Sequence, residues 1–258
     1  MYMCAFNSID FIWSVCIEFL YRDKELYAGS LSKILKENNS DKILDCSCGT
    51  GFPSIQLAKN DFNLTCSDAS NKMLSGFKKN MEKQSLLIPT FNLKWKHLDS
   101  FFKQEFDAVL CRGNSLPYCV SWEKNSVDLN KAGKEILVSL RNMFNVLKKG
   151  GMLYIDLSPR EAFSPLNTTF IHKFGPKIID GKKIVLDWKI QHFLEEKRRV
   201  WDAVVSVENE KNFPIHLEGY HLRHSELISM LKEIGFKKIR SYAEVEGEKT
   251  YDVFLAFK

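Results

Sequence analysis

Gly49 and Gly51 flank Thr50 near the end of the stretch KILDCSCGTGF, residues 42–52. A turn of this type can bring backbone N–H groups against a ligand, because glycine bends sharply and places no Cβ in the way. Asp45 precedes the turn, Ser47 lies inside it, and Pro53 opens a helix where the missing N–H of proline has no partner to lose. Further on, the apolar stretch Phe62 to Cys66 runs into Ser67-Asp68-Ala69-Ser70, and an acid so placed can accept from ribose hydroxyls. Two nucleotide templates fit poorly. G-x-G-x-x-G would need a glycine where Ser54 stands, and G-x-x-x-x-G-K-[ST] has no counterpart. The ligand implied has a ribose and needs no pyrophosphate cradle.

A second group with chemical potential follows the apolar stretch Asp107 to Cys111: Arg112-Gly113-Asn114-Ser115, and then Tyr118. In open α/β sheets ligands sit beyond the carboxyl ends of the strands, so this loop is the expected place of substrate contact. Arg112 and Arg160 suggest an anionic acceptor, since a guanidinium matches a carboxylate or phosphate in bidentate fashion.

The elements that must position these groups alternate. Apolar spacing predicts a helix over residues 8–21 and another over 26–36. Strands follow at about 43–44 and 62–66, a helix over 70–83, a strand at 91–96 leading to His97-Leu98-Asp99, and a strand at 107–111. An amphipathic helix over 128–147 is expected to end on Gly150 and Gly151, with Lys148 and Lys149 near its negative end. A fifth strand spans 152–157. Alternation over 183–193 and 200–207, around a charged turn, then signals antiparallel hairpins. A helix over 224–234 closed by Gly235 and two last strands, 237–243 and 251–257, complete the chain.

Taken together, DCSCGTGFPSIQLA, SDASNKML, FDAVLCRGNSLPY and LKKGGMLYIDLS resemble class I S-adenosylmethionine-dependent methyltransferases, most closely the glycine/sarcosine N-methyltransferase group. The resemblance implies an α/β fold: a Rossmann-like seven-stranded methyltransferase sheet with an N-terminal helical lid and an antiparallel β insertion after strand 5. In one domain, 1–40 would form the lid, 41–160 and 219–258 the cofactor-binding core, and 161–218 the substrate-covering insertion. The cofactor is then S-adenosyl-L-methionine. Its neighbours would be Asp45, Ser47, Gly49, Thr50, Gly51, Asp68, Ala69, Met73, Leu98, Asp99, Cys111, Arg112 and Gly113, with Trp13 and Arg22 reaching it from the lid. The acceptor would meet Arg112, Asn114, Ser115, Tyr118, Arg160, Tyr220 and Arg223, while Trp188 and Trp201 either line that cavity or pack the insertion onto the core. Asn114 and Arg160 are the expected catalytic contacts. An amine needs no dedicated base; a hydroxyl acceptor would, and His221 or His97 is the first choice.

Composition bounds the function. At 258 residues, 45% hydrophobic and 27% charged, the chain can bury a full core. The net charge of +5 comes from lysines spread along the chain, which counts against a nucleic-acid partner. No apolar run reaches membrane-spanning length, and Asp10 and Glu18 interrupt the N-terminal apolar stretch, so a cytoplasmic protein is expected. Seven cysteines between Cys4 and Cys119 lack zinc-ligand spacing and read as reduced core residues; no metal is expected. The expected activity is N-methylation of a small, anionic, amino-acid-like amine. Left open beside it are a phosphorylated acceptor methylated on O or N, a nucleic-acid or protein methyltransferase, a non-catalytic cofactor-binding subunit, and a homo-oligomeric state.

Overall fold

The computed structural model describes residues 9–21, 23–122, 124, 126–159, 169–242, 245–247 and 250–258. Two helices, α1 (Ile9–Leu20) and α2 (Lys24–Glu37), precede β1 (Lys42–Asp45), α3 (Ser54–Lys59), β2 (Asn63–Asp68), α4 (Asn71–Lys83) and β3 (Thr90–Asn92). Next come α5 (Leu98–Phe101), β4 (Phe106–Cys111), α6 (Leu129–Val146) and β5 (Leu147–Leu157). After β6 (Thr169–Ile179), β7 (Lys182–Phe193), β8 (Arg198–Val207) and β9 (Phe213–Tyr220), the chain ends in α7 (His224–Ile234), β10 (Lys238–Tyr242) and β11 (Asp252–Phe257).

The main sheet has the order β10-β11-β5-β4-β1-β2-β3. The pairs β1/β2, β2/β3, β1/β4 and β4/β5 are parallel, and β11 runs antiparallel between β5 and β10. Strand order therefore reverses between β1 and β4, which opens a crevice beyond their carboxyl ends. This is the expected seven-stranded α/β sheet with a hairpin-joined last strand. β6 to β9 form a separate four-stranded antiparallel sheet in sequence order.

One apolar cluster joins α1 to the second sheet: Ile12, Val15 and Cys16 pack with Leu186, Trp188, Trp201 and Val205. The other lies under α6 and α7, with Ile136, Leu140 and Leu227 against Val109, Leu153 and Phe254. α1 thus bridges α4 of the first layer to β7 and β9 of the second.

Three local expectations are corrected. The third strand stops at Asn92, and Trp95–His97 form a 3-10 turn instead. No glycine caps α6: Leu147 is already extended and the chain passes directly into β5, with Gly150 at φ +80° inside that strand and its N–H donated to the Lys258 carbonyl. The second sheet also has two strands that no alternation announced, since β6 is exposed along most of its length and β9 contains Pro214 and Gly219.

Candidate functional site

The site is assembled by backbone N–H groups converging on carboxylates. Asp45, fully buried at the end of β1, accepts from Ser47 N at 3.1 Å and from Ser54 Oγ at 2.6 Å, which folds the following turn back onto α3. Asp68 then holds that turn from the neighbouring strand: its Oδ2 accepts from Gly49 N at 3.0 Å and its Oδ1 from Ser70 N at 2.9 Å. Ser70 caps α4 by accepting from Met73 N, a contact that contributes about 1 kcal/mol.

Asp156 does the same for the loop after β4. It accepts from Gly113 N at 3.0 Å and from Asn114 N at 2.6 Å, and Asn114 Oδ1 in turn accepts from Ser158 N at 3.1 Å. Burial pushes the Asp156 carboxyl up to about 6; the two amides and Arg112 pull the other way. Ser47 Oγ accepts from Arg112 N at 2.7 Å and ties the two loops together.

Trp13 of α1 lies over both loops. A Cβ on Gly49 would meet its Nε1 at 3.2 Å, and one on Gly113 would meet its Cζ2 at 3.1 Å. Gly49 has φ +52° and Gly113 φ +73°, so the turns need glycine for conformation as well as for space.

The cavity so enclosed measures about 520 Å³. Of the expected cofactor neighbours it brings together Trp13, Ser47, Gly49, Asp68, Ala69, Met73 and Gly113. Of the expected acceptor contacts it brings in Asn114, Ser115 and Tyr118. All five tryptophans of the chain line it. The rings form a continuous series: Tyr118 to Trp122 at 6.2 Å, Trp122 to Trp13 at 6.3 Å, Trp13 to Trp201 at 6.1 Å and Trp201 to Trp188 at 4.8 Å between centroids.

Several expected contacts lie elsewhere. The Arg112 guanidinium turns under the loop, 3.3 Å from the Tyr27 hydroxyl, 2.8 Å from the Phe52 carbonyl and 3.7 Å from Asp45, where burial among partners holds it away from the cavity. Leu98 and Cys111 are core residues, and Asp99 accepts from Asn145 Nδ2 at 2.8 Å. Thr50 and Gly51 sit behind the turn, with Thr50 O accepting from Asn80. Tyr220 donates to Glu226 Oε1 at 2.7 Å, and Arg223 is an exposed cap of α7. His221 is buried with its Nδ1 2.7 Å from Nδ1 of His192. Burial and the Arg199 guanidinium depress both rings, His192 to about 3 and His221 to about 4, so both are neutral at pH 7. Arg22 and Arg160 lie outside the described residues.

Sequence reasoning missed Arg199, Trp95 and Trp122. Arg199 is 4% exposed and lines the cavity; its Nε donates to the Tyr118 hydroxyl at 2.9 Å and its Nη1 to Ser158 Oγ. A signal was present, because Arg199 shares the inward face of β8 with Trp201, Ala203, Val205 and Val207 at period two, and an arginine on an apolar face is rarely there for packing. Trp95 donates from Nε1 to the Cys46 carbonyl at 2.5 Å and walls the cavity beside the first turn.

The residues present fit a ribose-bearing cofactor without a pyrophosphate: two turns where a Cβ would close the space, an acid at the end of β2, and the apolar Met73 beside it. Comparison with known proteins agrees. A family model described as a methyltransferase domain matches residues 43–151. The glycine/sarcosine N-methyltransferase of Parasynechococcus marenigrum is 26% identical over 224 residues, covering 84% of this chain and 70% of that protein. Among solved structures, an S-adenosylmethionine-dependent methyltransferase from Clostridium acetobutylicum superposes with a TM-score of 0.72 at 18% identity, over 95% of this chain and 97% of that one. CalS10 of Micromonospora echinaspora, an amino pentose methyltransferase with the cofactor bound, gives 0.67 at 13% identity over 95% and 96%. A methyltransferase domain matched at residues 43–151, on the sheet and ordered loops described above, gives this chain the fold of the class I S-adenosylmethionine-dependent methyltransferases.

Proposed function

We propose that the enzyme methylates the nitrogen of a small amine that also carries a carboxylate. The observation that carries this reading is the pairing, in one cavity, of an indole wall (Trp13, Trp201 and Trp188) with the buried guanidinium of Arg199. When bound, S-adenosyl-L-methionine supplies a methyl group on a positively charged sulfur. As nitrogen takes up that carbon, positive charge develops on the nitrogen, and aromatic faces stabilise a cation at close range. Arg199 uses one N–H on Tyr118 and one on Ser158, which leaves donors of its five for an acceptor carboxylate.

Asn114 and Ser115 stand on the loop that Asp156 fixes, so the acceptor nitrogen meets a rigid surface. Positioning and exclusion of water then do most of the work, because an amine that has lost its proton to solvent needs no protein base. His221, expected as a base for a hydroxyl acceptor, lines no part of this cavity, and that weighs toward nitrogen. The relative from P. marenigrum is named for glycine and sarcosine, in keeping with an amino-acid-like acceptor.

A phosphorylated acceptor is the second reading; Lys94 and Lys96 on the cavity lining favour it. A panel of amino acids, amino sugars, sugar phosphates and alcohols, read by S-adenosylhomocysteine release, separates the two. Turnover confined to amines bearing a carboxylate is expected. Turnover confined to phosphates or alcohols contradicts the reading.

A further inference from the structure

Behind Arg199 lies a second cavity, of about 900 Å³, that the reaction described above does not use. It shares Trp188, Arg199 and Tyr251 with the first cavity. Its inner wall is apolar and comes from three elements: Phe19 and Leu20 of α1, Phe170 and Phe174 of β6, and Ile190 of β7. Phe174 continues the aromatic series, with its ring 6.3 Å from that of Trp188 and 6.0 Å from that of Phe19.

The volumes argue together with the chemistry. A cavity of 520 Å³ lies within the range of about 300–1,000 Å³ that holds one whole ligand, and a nucleoside joined to an amino acid takes up most of it. Little room is left there beyond the amine and the anion that Arg199 receives. The space that remains adjoins the same guanidinium, and it is lined by those aromatic and aliphatic side chains together with Asp23, His172, His192, Glu246 and Thr250.

We infer that the second cavity receives the side chain of the acceptor, and that the acceptor is an amino acid with a branched or aromatic apolar side chain rather than glycine. This rests on the reading of the enzyme as a methyltransferase of carboxylate-bearing amines. The carboxylate is held at Arg199, in the partition; the amine points to the indole wall of the first cavity, and the side chain runs into the second. In a hydrophobic pocket each added methylene is worth about 10–200-fold in discrimination, so a matched side chain outranks glycine by at least one power of ten.

The test compares glycine, sarcosine, leucine and phenylalanine as acceptors of the full-length wild-type enzyme and of Ile190→Trp and Leu26→Trp, two variants that fill the second cavity. Leu26 lines that cavity at its rim and is 43% exposed, so its replacement is compatible with folding even where Ile190→Trp is not. Wild type is expected to give leucine or phenylalanine a kcat/KM about tenfold or more above glycine. Each folded variant should lower that value about tenfold with residual glycine turnover unchanged, and calorimetry of leucine or phenylalanine against the S-adenosylhomocysteine complex should show the same loss. Preference for glycine or sarcosine, or filling variants that treat all four acceptors as wild type does, overturns the inference while the N-methylation reading stands. Absence of turnover with every amino acid, by an enzyme that binds the cofactor, overturns both.

Discussion

Arg199 Nε donates to the Tyr118 hydroxyl at 2.9 Å, a hydrogen bond that ties the antiparallel sheet to the loop that follows β4. The arginine arrives from β8 of the second sheet and the tyrosine from the loop after β4 of the first, so the proposed anion anchor and the loop proposed to face the methyl group come from two separate layers. Replacing Arg199 should act on the acceptor rather than on the cofactor. Arg199→Met is expected to raise the acceptor KM by roughly one to two powers of ten, the worth of about 1.5–3 kcal/mol for a charge-assisted hydrogen bond, with cofactor affinity unchanged. Arg199→Lys keeps the charge and loses the planar fork, and should fall between. Steady-state kinetics beside cofactor calorimetry checks this; wild-type constants in both variants would remove Arg199 from the acceptor site.

Arg112 should behave in the opposite way. Its guanidinium is buried against Asp45, Tyr27 and the Phe52 carbonyl, so Arg112→Met leaves Asp45 without its cationic neighbour. Breaking a buried pair from one side costs about 3–5 kcal/mol, to be read in urea unfolding. A variant as stable as wild type, with a raised acceptor KM, would return Arg112 to the substrate role.

Cofactor binding should depend on the first turn. Asp68→Ala is expected to weaken S-adenosylmethionine by about 1–3 kcal/mol, the range for losing hydrogen bonds to a charged group. Gly49→Val should abolish binding in a folded protein, because a β-branched residue at φ +52° is strained and its Cβ meets Trp13. Calorimetry with circular dichroism beside it decides the matter. NAD binding in place of S-adenosylmethionine, or normal affinity in Gly49→Val, would contradict this assignment.

These contrasts show what a linear sequence carries. The turn at Gly49, the acid at Asp68 and the loop at Gly113 and Asn114 were legible because each is local: a few residues fix the backbone and the strand end that presents it. Arg112 stands in the same loop and was misread, since only the packing of α2 shows that Tyr27 and Asp45 draw its side chain under the loop. Arg199 was hidden for another reason. Its period-two spacing with Trp201 was there to read, but it follows Lys197 and Arg198, so the expected strand began at Val200 and left Arg199 in the charged turn; in the structure β8 starts at Arg198 and sets Arg199 opposite Gly219 of β9. The helix-to-strand passage at Leu147 and the exposed strand β6 escaped notice because neither carries a cap or an alternating pattern.

Asp156 gives a pH signature with a definite sign. Its carboxyl titrates near 6 in the folded protein against an ordinary value of 3.8, so between those values the folded state holds the proton more tightly than the unfolded one. Stability due to this group is therefore greatest below pH 4 and is lost as pH rises through 6, a change of about 3 kcal/mol at about 1.4 kcal/mol per unit. Asp156→Asn cannot titrate. The stability difference, wild type minus variant, should decline between pH 4 and 6 and stay flat above; curves that run parallel from pH 4 to 7 would show that Asp156 is not held protonated by its burial. Arg112, Asp45, Tyr27 and Tyr154 face the same pocket and are common to both proteins, so they cancel in the comparison.

The most direct measurement follows an isotopically labelled methyl group from S-adenosylmethionine into a carboxylate-bearing amine by NMR, with wild type and Arg199→Met side by side. The label is expected on nitrogen, with S-adenosylhomocysteine formed in equal amount and a rate that falls in the variant at subsaturating acceptor and recovers at high acceptor. Label on oxygen, or no transfer to any such amine by an enzyme that binds the cofactor, would contradict it.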